Sequence, residues 1–235
     1  NNTEANRFFS SAYAYGYHEV IVETPSHKKQ LWDLGVEDIT DLFKVYRSRI
    51  KDLSKDKKIK YVAVFKNHGP KAGTSLVHSH TQIIAYTLLP TEIENKIKAT
   101  RKFYKTYNTC PYCNIINIER KSERFCFENK NFIAFTPYAS RFSYEIWLFP
   151  KKHITSLTEL KDNELKDLAK ICKKILIKLK KLNADYNFYL HYGPKGKDLH
   201  FHIEFIPRLS TWAGFEYCTG TVINSVSPCL LYTSD

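Results

Sequence analysis

Residues 65–85 read FKNHGPKAGTSLVHSHTQIIA, and the fold turns on how this stretch is read. An apolar run, Tyr61 to Phe65 (YVAVF), leads into it as a strand. A turn punctuated by Gly69, Pro70 and Gly73 then reverses the chain. A second strand-like run carries His78, His80 and Gln82, followed by Ile83, Ile84, Ala85 and Leu88. Side chains two apart on a strand share a face, so two imidazoles and a carboxamide should stand in a row above a core-anchored tail. A lone strand histidine is usually structural. Three polar groups in line beside a glycine-rich turn mark a site.

Asn67-x-Gly69, the turn Gly73-Thr74-Ser75 and the run His78-Ser79-His80-Thr81-Gln82 resemble the active-site segment of the galactose-1-phosphate (UDP-glucose–hexose-1-phosphate) uridylyltransferase family. That family is the transferase branch of the histidine-triad superfamily, and ADP-glucose phosphorylase-like adenylyltransferases lie close by. Hydrolases of the superfamily carry a third histidine where Gln82 stands. The resemblance covers nearly all of residues 1–228. It implies an α+β fold of two tandem, duplicated histidine-triad-like halves, with antiparallel sheets and flanking helices.

Composition bounds the alternatives. A chain of 235 residues with 43% hydrophobic content can bury a sizeable core. It shows no signal peptide and no apolar run long enough to span a bilayer, so a cytoplasmic protein without a membrane partner is expected. There is no methionine, so Asn1 is not a translation start, and an N-terminally truncated fragment is expected. The tail from Cys229 to Asp235 resembles a translated sequencing adapter, a non-native scar. The net charge of +12 invites a nucleic-acid reading. Eight of the lysines, however, fall in Lys161 to Lys181 on one helix with Leu165, Leu168, Ile171, Cys172, Ile175, Leu179 and Leu182. That spacing makes one apolar stripe and one solvated basic face, so no nucleic-acid partner is expected.

In chain order, a strand at Tyr17–Glu23 precedes a helix at Val36–Leu53, whose inner face is Ile39, Leu42, Phe43, Tyr46, Ile50 and Leu53. A second helix is expected over Thr91–Tyr107. Short strands follow at Arg124–Glu128, Asn131–Thr136 and Tyr144–Phe149, then the lysine-rich helix, then strands at Tyr186–His191 and Leu199–Pro207. The pattern repeats. The strand before His27 matches the strand before His153, an offset of 126 residues (153 − 27), and Gly69-Pro70-Lys71 with His78-x-His80 matches Gly193-Pro194-Lys195 with His200-x-His202. The expected units are 1–107, a catalytic half lacking its N-terminus, and 108–228, a structural zinc-bearing half, with 229–235 as the scar. The second half has Glu204 where the first has Gln82, and a bulky Phe201 between its histidines, which reads as degenerate.

Cys110-x-x-Cys113 can offer two thiolates to a tetrahedral ion, with His153 and His200 completing a zinc site and His191 or His202 as substitutes for His200. The resemblance also implies structural zinc in this half. Cys126, Cys172 and Cys218 read as buried apolar residues. By the repeat, His27 and His78 should form half of a second metal site whose cysteines would lie upstream. His18 and His68 read as structural.

The chemistry implied by the resemblance is nucleotidyl transfer through a covalent histidine. His80 attacks the α-phosphorus of a nucleotide sugar, sugar 1-phosphate leaves, and an acceptor phosphate takes the nucleotide. A backbone carbonyl should fix the His80 tautomer. Gln82 donates to the charged oxygens and, having no titratable group, does not readily activate water. Asn67 and Ser75 resemble phosphate-contacting positions, with the 69–75 turn offering backbone N–H groups. Gly214, Phe215 and Glu216 resemble the hexose-contacting segment, although Val222 replaces a family glutamine. Partners implied are a nucleotide sugar, a sugar 1-phosphate or inorganic phosphate, and a second subunit in a homodimer. Three readings stand: a uridylyltransferase of galactose metabolism, a nucleoside-diphosphate-hexose phosphorylase, and a zinc-stabilised nucleotide-binding module without turnover.

Overall fold

Acidic residues open the two longest helices, whose apolar stripes pack together. In α1 (Val36–Leu53) Asp38 accepts the Gly35 N–H at 3.0 Å, and in α4 (Asp162–Lys181) Glu164 accepts the Lys161 N–H at 2.8 Å. Carboxylates there satisfy free N–H groups and oppose the positive helix end. The computed structural model describes residues 13–228, so the 229–235 tail lies outside the described residues. Ile39, Phe43, Tyr46 and Ile50 of α1 and Leu165, Leu168, Ile175 and Leu179 of α4 are buried in one core, and α1 packs on α4. Leu182, expected in the stripe, is the residue after α4 and is 39% exposed.

The strands are β1 (Gly16–Val22), β2 (Tyr61–His68), β3 (His80–Tyr86), β4 (Phe125–Glu128), β5 (Phe132–Phe135), β6 (Ile146–Pro150), β7 (Tyr186–His191) and β8 (His202–Pro207). They form one antiparallel sheet in the order β1-β3-β2-β7-β8-β6-β5-β4. The order shows the duplication directly. β1-β3-β2 is mirrored by β6-β8-β7 about the β2–β7 seam, where Phe65 pairs with Tyr189 and Asn67 with Asn187. The two repeats therefore share one continuous sheet.

Between the repeats run α2 (Thr91–Tyr107) and α3 (Pro111–Glu119), and α5 (Gly214–Thr219) follows β8. α3 was not anticipated. Its β-branched Ile115, Ile116 and Ile118 imitate a strand, while Pro111 at the first helical position and Cys110 at the cap start a helix. α2 and α3 lie over the second repeat: Lys96 of α2 reaches His191 and His202, and Tyr112 of α3 packs on His202.

Some expected strand ends move inward. Tyr144 adopts φ +66° and the Glu145 N–H turns back to Phe142 O, so β6 starts only at Ile146. β3 starts at His80, and His78 lies outside it, so the expected row of three polar groups reduces to His80 and Gln82. No described helix is long and apolar enough to cross a membrane.

Candidate active site

His80 stands at the first position of β3, 7% exposed, beside a cleft of about 160 Å³ lined by residues that include Asn67, Thr74, Ser75 and His78. Its Nδ1–H donates to the His78 carbonyl at 2.8 Å. That bond leaves the Nε2 lone pair as the free ring nitrogen. Two places further along the strand, Gln82 Oε1 accepts from His18 Nε2–H at 3.0 Å. With its oxygen held, the carboxamide keeps its NH₂ as the available end. His18, read from sequence as structural, therefore orients a site residue. The signal lay in strand register and not in local spacing: antiparallel pairing of β1 with β3 puts His18 opposite Ile84, one diagonal from Gln82.

The turn from Gly69 to Ser75 is held from across the seam. Asp185 Oδ2 accepts the Lys71 N–H at 2.7 Å, and Asn187 Nδ2 donates to Asn67 Oδ1 at 2.8 Å and to Ala72 O at 2.9 Å. Asn67 is left, like Gln82, with its NH₂ as a donor. The Lys71, Ala72, Gly73 and Thr74 N–H groups are all used within the fold. The expected backbone cradle for an anion is therefore not available at those four positions. Thr74 supplies a different feature: its Oγ1 is shielded from solvent and has no hydrogen-bond partner. An orphaned hydroxyl beside a cleft is suited to a ligand atom. His68 stacks on Tyr186 and meets Trp32 edge-on, a packing role.

His78 and His27 do come together, with their Nδ1 atoms 2.8 Å apart and His78 Nε2–H donating to Thr24 O at 2.6 Å. Among the described residues no third histidine, cysteine or carboxylate joins them as a ligand group. Gly214, Phe215 and Glu216 are not brought to His80. They lie in α5, where Glu216 accepts the Ala213 N–H at 2.9 Å as its own helix cap.

The duplicate of the site is closed. His202 Nδ1–H donates to His200 O at 2.8 Å, repeating the His80 geometry. Its Nε2, however, faces the Lys96 ammonium at 3.3 Å and Glu204 Oε1 at 3.1 Å, and the ring is fully buried, stacked on Phe149. Lys96 also donates to His191 Nδ1 at 2.8 Å and to Glu204, while Arg141 and Tyr189 bind the other Glu204 oxygen at 2.6 and 2.8 Å. His191, His202 and Glu204 are grouped closely enough for a metal, but an ammonium already fills the centre. Burial raises the Glu204 carboxyl, but the groups bonded to it and the adjacent Lys96 charge outweigh burial and hold it well below the usual range.

Cys110, Cys113, His153 and His200 form a separate cluster with all four donor atoms within 4.8 Å of one another. The CxxC begins α3, and the two histidines follow β6 and precede β8. Cys113 Sγ lies 3.5 and 3.6 Å from the Nδ1 atoms of His153 and His200. Both remote nitrogens are anchored, His153 Nε2 on Asp198 at 2.9 Å and His200 Nε2 on the Pro150 carbonyl at 3.0 Å. Two sulfurs and two imidazoles whose far nitrogens are anchored have the chemistry to hold a tetrahedral metal ion. Burial raises the Cys110 thiol, but bonds from His153 and His200 outweigh it and bring it down to about 6. His200 is the histidine grouped with the two cysteines and His153, while His191 and His202 lie with Glu204. The five described cysteines are free; Cys172 is buried as expected, Cys126 is half-buried and Cys218 is exposed, since α5 packs only lightly.

Four of the lysines in 161–181 are engaged within the chain. Lys166 pairs with Glu37, Lys170 with Asp167 and Lys180 with Asp33, and Lys173 donates to Trp32 O. A larger groove, about 910 Å³ and lined in part by Gly193, Pro194 and Lys195, lies at the counterpart of the 69–71 turn and contains neither histidine pair.

One sheet carrying two β-α-β-β repeats, with a His-x-His-x-Gln strand open in one and a His-x-His-x-Glu strand sealed in the other, defines a duplicated histidine-triad-like α+β protein. A family model described as a domain of unknown function (DUF4921) matches residues 5–233. A galactose-1-phosphate uridylyltransferase of Thermotoga maritima is 34% identical over 94% of this chain and 73% of its own length. An ADP-glucose phosphorylase of Arabidopsis thaliana is 33% identical over 91% of this chain, which spans 62% of that relative. The solved structure of an Arabidopsis thaliana ADP-glucose phosphorylase with bound ADP-glucose superposes with a TM-score of 0.85 at 31% identity, covering 91% of this chain and 71% of that one. The chain belongs to the galactose-1-phosphate uridylyltransferase family.

Proposed function

We propose that this chain carries the nucleotidyl-transfer site of an enzyme that moves a nucleoside monophosphate, UMP first, from a nucleotide sugar to a hexose 1-phosphate. The observation that carries this reading is the His80 Nδ1–H bond to the His78 carbonyl, which leaves Nε2 as a nucleophile beside the cleft. Nε2 attacks the α-phosphorus, and the bond to the sugar 1-phosphate oxygen breaks. The acceptor phosphate then attacks the phosphorus–nitrogen bond and returns the imidazole to its starting form. The free NH₂ groups of Gln82 and Asn67, with the Ser75 and Thr74 hydroxyls, are the donors on hand for the non-bridging oxygens. None of these groups titrates near neutrality, which favours transfer over hydrolysis.

Cys110, Cys113, His153 and His200 fit zinc, which would tie α3 to the chain around β6 and β8 and take no part in the reaction. The Gly214–Glu216 segment, standing apart from His80, suits contact with the hexose in the site of a second copy, as the family resemblance implies. A cytoplasmic enzyme without a nucleic-acid partner fits the unpaired thiols and the lysines paired within the chain.

The second reading, a phosphorylase that uses inorganic phosphate as acceptor, is supported by the Arabidopsis relative at nearly equal identity. Incubation with α-labelled UDP-glucose or ADP-glucose should give acid-labile label on the protein, lost in His80→Asn. Release of label by galactose 1-phosphate supports the first reading, and release by phosphate the second. Tight nucleotide binding with no label on His80 would leave only a binding module.

A further inference from the structure

Ser79 and Thr81 flank His80 and point to the opposite face of β3. Both hydroxyls donate to one carboxylate: Ser79 to Glu23 Oε2, and Thr81 to Glu23 Oε1 at 2.5 Å. From β2, Lys66 Nζ donates to Glu23 Oε2 at 2.8 Å, to Ser79 Oγ at 3.2 Å and to the His80 carbonyl at 3.0 Å. The Glu23 N–H donates to Ser79 O at 3.1 Å, and the Tyr46 hydroxyl of α1 meets Thr81 Oγ1 at 2.7 Å. The assembly is sealed from water, with Lys66 1% and Thr81 0% exposed.

An ion pair placed this deep is generally less favourable than apolar residues of the same volume. Burial accordingly pushes the Lys66 ammonium below its ordinary range, against the pull of Glu23. The second repeat shows that the fold accepts the apolar solution. By strand register, Lys66 corresponds to Leu190, Ser79 to Phe201 and Thr81 to Ile203, and Glu23 falls at Phe149–Pro150. All of these are buried without a charge. The polar network is thus present only behind the histidine that meets a cleft, and absent behind the one that is sealed.

We infer that Lys66 and Glu23 are positioning residues for His80. They grip the peptide units on both sides of it, so that Nδ1–H stays on the His78 carbonyl and Nε2 stays at the cleft. The kinetic half of this inference rests on the transfer reading above; the geometric half does not.

The test makes the network apolar, as it is in the other repeat: Glu23→Leu, Lys66→Leu, Ser79→Ala and Thr81→Val together, because Lys66→Leu alone would strand a buried carboxylate. Thr81→Val alone, nearly isosteric, is the milder companion should the fourfold variant not fold. Ring ¹⁵N shifts of His80 should report one tautomer, Nδ1–H, in the unaltered protein and a mixture in the fourfold variant. Labelling by α-labelled nucleotide sugar should slow about 10- to 100-fold with nucleotide affinity within about twofold, and severalfold in Thr81→Val, as expected when orientation rather than binding is lost. A folded variant that keeps the single tautomer and labels at the original rate overturns the inference. If the unaltered protein never labels, the transfer reading falls, and the ¹⁵N comparison decides the positioning role by itself.

Discussion

His18 and Gln82 sit on neighbouring strands with Nε2 and Oε1 3.0 Å apart, so an imidazole from β1 decides which end of the β3 carboxamide is free. Replacing the donor tests this. His18→Phe keeps a ring at an exposed position and removes the N–H. Single-turnover labelling should slow about tenfold, equivalent to about 1.4 kcal/mol of barrier, with nucleotide affinity unchanged. An unaltered rate would show that Gln82 orients itself.

The seam between the repeats makes a second prediction. Gly69 adopts φ +83°, and a Cβ there would lie 2.0 Å from Asp185 Oδ1. Gly69→Ala should therefore destabilise the fold by more than the roughly 1–3 kcal/mol of backbone strain alone. In Gly69→Ala/Asp185→Ala the clash is gone, so the two losses should fall short of additive by about 1 kcal/mol or more. Urea unfolding of the four proteins measures it, and strict additivity would contradict the close packing of this carboxylate on the turn.

Metal content provides a third. The protein should carry about one zinc per chain by elemental analysis, lost in Cys113→Ala. Prolonged dialysis against a strong chelator should remove it and lower the unfolding midpoint by at least about 5 °C, since binding energy at such sites is folding energy. Retention of the midpoint after proven metal loss would rule out a stabilising ion. His27→Ala should leave the zinc count unchanged.

Acid sensitivity follows from the sealed cluster. Burial first, and the adjacent Lys96 charge second, push His191 down to about 3 from an ordinary 6.5. Between those values the unfolded chain binds a proton that the folded chain refuses. The associated stability is present above about pH 6.5 and is lost as pH falls toward 3, with a slope of up to about 1.4 kcal/mol per pH unit. Unfolding curves at pH 7, 6 and 5 should show a shallower acid loss in His191→Gln than in the parent. Equal slopes would mean that His191 protonates without penalty in the fold.

Much of this protein was legible in the chain itself. The 3.6-residue spacing of Ile39, Phe43, Tyr46 and Ile50 marked α1, and the Leu and Ile stripe marked α4 up to Leu182, which falls just past its end, because apolar periodicity is a local property. The repeat, the His80–Gln82 pair and the Cys110, Cys113, His153 and His200 cluster were likewise readable as residue types at fixed spacings. Tertiary structure decided what those spacings cannot encode. It turned His78 away toward His27 and Thr24, recruited His18 and Asn187 to hold two carboxamides, and set a buried ion pair behind one histidine only. It also laid α2 and α3 over the second repeat, so that Lys96 and Tyr112 close His202 while His80 keeps a cleft. The physical reason is that accessibility and hydrogen-bond partnership arise between strands and helices distant in sequence, and two nearly identical motifs acquire opposite surroundings once the sheet is formed and covered on one side.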